Sequence, residues 1–373
     1  MVLYSTIRHN MEMNIHYRPE DLTDYMVRFL TKYGVPEGHA RQIAGVIVEA
    51  DLRGVHSHGV SRLHVYYGDR LRAGLMNPST PFKVVHETET TVRFDGANGF
   101  GQVVGIAAME KCIEKAKAHH VGIATVCNSN HYGIAAYYSM MALPHGMIGV
   151  SLTNSQPLVA PTYGRERVLG TNPISVAAPA KNHRPYVLDM ATSIVPMGKI
   201  MLAETKGETV PLGYGINAQG KLTQNPSEIR NGGALLPLGG PDYLSGYKGY
   251  GLALLVDILC GVLAGASFGK DVGSPAATTG GPTHIGHFFL AIDIEAFRFL
   301  EDFTKDMDRL IEQLLTCPKE PGKDRIFIHG EKEFEQKERY LKHGIALPEA
   351  VVEVLRKKGE ESGVPFDLPP LSA

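Results

Sequence analysis

Between Phe82 and Asp293 the chain returns again and again to short apolar runs that end in polar residues. FKVVHETETTVRFDG reads as two strands joined by a polar turn, and VGIATVCNSN, MIGVSLTNS, ISVAAPA, PYVLDMATS and HIGHFFLAID repeat the theme. A long amphipathic helix, GFGQVVGIAAMEKCIEKAKAHH, stands among them. Strands alternating with helix over such a length predict an α/β core. The flanks read as helical, with HIGHFFLAID as the last strong strand. Neither flank alone has the apolar surface of a stable domain, so the two ends are expected to pack together as a second layer. The expected organisation is a helical segment over 1–81, an α/β domain over 82–293 and a C-terminal helical segment over 294–373. No internal repeat or low-complexity segment interrupts this pattern.

Composition narrows the function classes. At 373 residues, 43% hydrophobic and 20% charged with net charge −2, the chain is an ordinary globular one. That balance favours neither nucleic acid nor an anionic membrane as partner. Cys112, Cys127, Cys260 and Cys317 form no CxxC pair, so reduced thiols in a cytoplasmic protein are expected. The N-terminal MVLYSTIRHNMEMNIHYRPED has no long apolar stretch of the secretory type. GLALLVDILCGVLAGASFG is barely long enough to span a membrane and carries Asp257 near its middle, which predicts a buried helix.

Gly99, Gly101 and Gly105 imitate a dinucleotide-binding glycine loop, after a strand and at the start of a helix. That fingerprint also needs an acidic residue at the end of the next strand to hold a ribose, and ATVCNSN has none. Close helix–sheet packing or a tight turn is the better reading of these glycines, with a phosphate loop of another kind as the alternative.

GVHSHGVSRLHVYY lies where one helix-compatible run ends and another begins. His58 would sit near an exposed helix N-terminus, a place that favours anions. Arg62 and Tyr66, four apart, would share a helix face. Imidazole, guanidinium and phenol together suit a small carboxylate with a neighbouring hydroxyl or carbonyl. NSNHYG follows a strand and precedes a helix, which makes His131 either an acid–base group or a capping histidine. Asp189 in LDMATS is either a helix N-cap or a group that orients a histidine or binds cofactor. In GYKGYG, Lys248 stands among glycines that could admit a phosphate or form a flexible cap. GTNP reads as a turn. His56 and His58 could supply two metal ligands, but the rest of a set is missing and no metal is expected. Ser57 lacks the GxSxG context of a nucleophile.

In order, VHSHGVSR, NSNHYG, GTNP, LDMATS with MGKI, LLPLGG and GYKGYGLALLVDILCGVL resemble the type-2 malate/L-lactate dehydrogenases over roughly Arg18 to Val364. That family includes ureidoglycolate and sulfolactate dehydrogenases and reductases of cyclic imino acids. The resemblance implies a mixed-sheet, non-Rossmann fold, a homodimer, and hydride transfer between NAD, or NADP, and a small 2-hydroxy acid. Malate is the leading substrate. Lactate-type or other 2-hydroxy acids, and imine reduction, are the alternatives. By resemblance His131 is the catalytic base, while His58, Arg62 and Tyr66 belong to the substrate pocket. In imine-reducing members the acid is the HSHG histidine with the LDMATS aspartate as partner, so His58 and Asp189 stay catalytic candidates. Ser155, Asp189, Met190, Ala191, Lys248, Glu331, Lys332 and Glu333 match cofactor positions. Arg53 and His64 are candidates for a second substrate carboxylate. A non-catalytic protein on the same fold would be expected to have replaced His58, His131 or Lys248, and all three are present.

Overall fold

The apolar runs form one seven-stranded mixed sheet, in a computed structural model that describes residues 14–371. Residues 1–13 of the N-terminal stretch expected to lack a secretory signal lie outside the described residues. The strands are β2 (Lys83–Glu87), β3 (Thr91–Asp95), β4 (Val121–Ser129), β5 (Met147–Thr153), β6 (Ile174–Ala178), β7 (Tyr186–Met190) and β11 (Ile285–Asp293). Their order is β2-β3-β4-β11-β5-β6-β7. Only β3 and β4 pair in parallel; every other pair is antiparallel. A doubly wound parallel sheet is thereby excluded, in line with the missing ribose-binding acid.

Strand β11 is inserted between β4 and β5, and the register of these pairs fixes what gathers at one end of the sheet. Ile285 faces Ser129, His287 faces Thr153, Leu152 faces Ile174, and Ile174 faces Met190. The segments 129–131, 153–155, 172–174, 189–191 and 283–285 therefore share that end.

The glycine loop is a packing device. A Cβ on Gly99 would fall 2.4 Å from the Thr80 methyl, one on Gly101 2.2 Å from the Asn130 carbonyl oxygen, and one on Gly105 2.8 Å from the Tyr138 ring. The helix Gly101–His119 thus lies close against β4 and β11, with protein atoms filling the space beside each of these glycines.

The chain divides into two compact units. Of the described residues, one unit contains 14–79, Ala276–Thr279 and 330–371. Strand β1 (Asn14–Tyr17) pairs antiparallel with β12 (Ile345–Pro348), which joins the two ends of the sequence. The other unit contains the sheet and runs on to His329, beyond the boundary expected at 293. The reason is Asp308, in the helix Leu300–Leu315: its carboxylate accepts N–H groups from Lys181, Asn182 and His183 between β6 and β7. A carboxylate that collects three backbone donors ties this helix to the sheet. The remainder of the sheet unit includes a small sheet of order β10-β8-β9, from β8 (Gly215–Ile216), β9 (Leu222–Thr223) and β10 (Ala234–Leu235).

The apolar segment expected as a buried helix is buried on one face only. It runs as α-helix from Gly246 to Asp257 and continues as π-helix over Ile258–Leu263. Asp257 is buried and accepts the Gly269 N–H at 3.1 Å, whereas Leu252, Leu255, Val262 and Leu263 are exposed.

Candidate functional site

The turn carrying His58 is built on a buried carboxylate. Asp51, at the end of the helix Glu37–Leu52, accepts the Val60 N–H at 2.7 Å and meets His56 Nδ1 at 2.8 Å. Burial pushes its pKa up, against the hydrogen bond from His56. Gly59 permits this approach: a Cβ there would fall 1.9 Å from Asp51 Oδ1. After a 3₁₀ turn over His56–His58, the expected second helix is present but irregular: it begins as a 3₁₀ turn over Val60–Arg62, continues as π-helix over Leu63–Gly68 and ends as α-helix over Asp69–Arg72. His58 accordingly ends a 3₁₀ turn and does not sit at a helix N-terminus. His56 meets Tyr340 Oη with its other nitrogen at 3.2 Å, so both its nitrogens are engaged within the protein. His56 is thus tied into the turn by Asp51 and Tyr340.

His58 is half-buried, with Ser57 Oγ 2.9 Å from its Nδ1. Burial, then the charge of Arg62, lowers its pKa to about 4, so the ring is neutral near pH 7. Arg62 donates from Nε to the Ser57 carbonyl at 2.6 Å, and its guanidinium carbon lies 4.9 Å from the centre of the Tyr66 ring. The shared face of Arg62 and Tyr66 survives the change of helix type. Arg53 and His64 do not belong to this group. Both are buried: Arg53 lies over Phe334, and His64 bonds Tyr25 Oη at 3.1 Å and packs on Phe29.

His131 lies at the end of the sheet where the strand termini gather. It is half-buried between the buried Asn130 and Tyr132, and the Gly133 N–H lies 3.3 Å from its Nδ1. The helix that follows, Ala135–Met140, receives Asp189: its carboxylate accepts the Ala136 N–H at 2.8 Å. Asp189 thus caps a helix, as one reading of LDMATS had it, but the helix is the one after His131 and not the one after MATS.

The cofactor candidates of this unit form a knot of loops. Ser155 Oγ accepts the Thr171 N–H at 3.0 Å, and the Ser155 N–H donates to Asn172 Oδ1 at 3.1 Å. The Thr192 N–H donates to Thr171 O, and the Leu238 N–H donates to Thr192 O. GTNP, read as a simple turn, is what binds Ser155 to the segment after Asp189–Met190–Ala191. Its role was hidden because each of its contacts is far away in sequence. The glycines around Lys248 also have a packing cause: Cβ atoms on Gly246 and Gly249 would fall 1.7 Å from Gly240 O and 2.2 Å from Leu238 O. Those glycines make room for LLPLGG, not for a phosphate. Lys248 itself is exposed, and among the described residues no ion pair engages its ammonium. An uncompensated cation in the first turn of a twelve-residue helix fits the charge of a dinucleotide pyrophosphate. Glu331, Lys332 and Glu333 begin the helix Glu331–His343, which belongs to the other unit. The preceding His329 accepts the Val187 N–H of β7.

All four cysteines are free thiols, three of them buried. Among the described residues no cluster of three or more His, Cys, Asp or Glu is arranged to hold a metal ion.

Comparison with known proteins gives the same direction. The family model described as malate/L-lactate dehydrogenase matches residues 17–356. A malate dehydrogenase of Pyrococcus abyssi is 48% identical over 346 residues, 92% of this chain and 94% of that protein. A malate/(S)-sulfolactate dehydrogenase of Methanothermus fervidus is 37% identical over 347 residues, 93% and 98% of the two chains. The solved structure of malate dehydrogenase from Pyrococcus horikoshii OT3 is similar with a TM-score of 0.87 at 44% identity, covering 96% of this chain and 98% of that one.

Proposed function

Since the chain belongs to the malate/L-lactate dehydrogenase family, we propose that it interconverts malate and oxaloacetate with NAD as the hydride acceptor. The observation that carries this reading is the gathering of His131, Ser155 and Asp189–Ala191 at one end of the mixed sheet. Malate is favoured over lactate and cyclic imino acids by the relatives at 48% and 44% identity, both named for malate.

A bound nicotinamide would accept the hydride that leaves C2 of the hydroxy acid, and would return it in the reverse direction. Ser155, Met190, Ala191 and Lys248 would hold the dinucleotide, the charge of Lys248 suiting its phosphates. Glu331, Lys332 and Glu333 remain assigned to the cofactor by family position alone. Arg62 holds the C1 carboxylate by parallel hydrogen bonds, its guanidinium oriented by Ser57 and by stacking on Tyr66. His131 takes the hydroxyl proton during oxidation and returns it during reduction. His58, neutral beside Arg62, hydrogen-bonds the substrate without adding a second cation. Asp189 holds the His131 loop through Ala136.

A specific contact favours a second assignment of the proton. The Ser57 hydroxyl next to His58 can donate or accept, so it serves that ring in either protonation state. In this version His58 carries the proton.

A second copy of the chain covers the exposed apolar face of Gly246–Leu263, giving a homodimer. Leu252, Leu255 and Val262 recur along that helix at spacings that place them on one side.

The test is a substrate panel followed by nicotinamide absorbance: malate, lactate, sulfolactate and a cyclic imino acid, each with NAD and NADP in the appropriate redox state. The highest kcat/KM is expected for malate with NAD. Reduction of the imino acid faster than reduction of oxaloacetate would refute the malate assignment.

A further inference from the structure

Behind His131 lies a buried polar network that the proposed reaction does not use. His287, on β11, is fully buried, and each of its ring nitrogens has a hydroxyl partner at 2.8 Å: Nδ1 with Thr153 Oγ1 and Nε2 with Ser129 Oγ. Its ring lies flat on Tyr132, with centroids 4.5 Å apart and planes 3° from parallel. Tyr132 stacks in turn on Tyr138 at 4.6 Å, while its hydroxyl meets Ser151 Oγ at 3.0 Å. Tyr138 Oη donates to the Tyr132 carbonyl. On the other side, the Thr283 hydroxyl lies within hydrogen-bond distance of the Ser129 carbonyl at 2.9 Å and Asn130 Oδ1 at 2.8 Å, and Asn130 Nδ2 donates to the Gly99 carbonyl at 2.8 Å.

Each residue flanking His131 is therefore fixed by its own partners, and His287 touches both sides: Ser129 by hydrogen bond and Tyr132 by stacking. A buried network whose members are all satisfied is rigid, because any displacement strands a polar group away from water. Burial also lowers the His287 pKa to about 3, so the ring keeps one charge state while His131 changes its own. The two-sided contact of a buried ring explains why an imidazole stands in the middle of a sheet, where an aliphatic residue would fill the space without the cost of burying polar atoms.

We propose that His287 is a positioning residue for the reaction, holding the His131 backbone in register through Ser129 and the Tyr132 ring. The inference rests on the reading of His131 as proton carrier. It predicts coupling: loss of His287 matters only while His131 is present to be positioned.

The experiment is a double-mutant cycle on malate oxidation. His287→Phe keeps a flat ring against Tyr132 and removes both hydrogen bonds; His287→Gln keeps polar atoms and removes the stack. In the parent, His287→Phe should lower kcat by a factor of about 10–100 with little change in the malate KM. In the His131→Asn background the same substitution should change kcat by less than about twofold. His287→Gln should recover part of the loss. Equal losses in both backgrounds, or full kcat in a folded His287→Phe enzyme, would overturn the proposal. If His287→Phe does not fold, the same cycle with His287→Gln decides by the same criterion. Parent-level turnover in His131→Asn itself would instead bring down the reading of His131, and the positioning role with it.

Discussion

At Arg62 one guanidinium is oriented twice, by the Ser57 carbonyl at Nε and by the Tyr66 ring beneath it. Preorganisation of this kind lets a carboxylate bind without first ordering a long side chain. Arg62→Ala should raise the malate KM roughly tenfold or more, the scale of a lost charge-assisted hydrogen bond, and leave the cofactor KM unchanged. Steady-state kinetics with each substrate varied in turn checks this; an unchanged malate KM would remove Arg62 from the site. The pairing of Arg62 with Tyr66 was legible in the sequence because their spacing of four keeps them together in helical geometry of either kind. The histidines nearby were less legible. His56, His58 and His64 lie within nine residues, and what separates them is long-range: Asp51 and Tyr340 take His56, while Tyr25 and Phe29 bury His64. A sequence cannot show which of three close histidines the rest of the fold will claim.

Among elements, the strands were readable because each is a short apolar run with polar ends. Their order was not, since the position of β11 between β4 and β5 depends on pairing across more than a hundred residues. The helix expected after HSHG begins only at Val60, where Asp51 holds the Val60 N–H and Gly59 leaves room for that carboxylate, and it is 3₁₀ and π before it becomes α at Asp69. This predicts a sharp sensitivity at Gly59. Gly59→Ala forces the turn away from Asp51 and displaces both His58 and Arg62, so the malate KM should rise by about tenfold or more in protein that still binds the dinucleotide. Parent-level kinetics in this variant would show that the turn has no part in the site. The glycines at 99, 101, 105, 246 and 249 teach the converse lesson. Their positions imitate phosphate loops, but each meets protein backbone or a side chain at a distance no Cβ tolerates.

For the whole molecule, the division into helical and sheet units followed the change of periodicity near Pro81, whereas the C-terminal boundary was displaced by the Asp308 contacts. The exposed face of Gly246–Leu263 had no sequence signal, because an apolar helix reads alike whether it faces its own core or another copy. Light scattering on an eluting column should give the mass of a dimer, and Leu255→Glu combined with Val262→Glu should give a monomer. A parent protein of monomer mass at micromolar concentration would exclude this interface. The central claim is that His131 exchanges the substrate proton, and the kcat/KM–pH profile of malate oxidation, taken for the parent and for His131→Asn, tests it most directly. The account predicts an acidic limb in the parent that is absent from the variant, with kcat lowered by a factor on the order of 10²–10⁴. A limb centred near pH 4 that persists in His131→Asn and disappears in His58→Asn would contradict it and give the proton to His58.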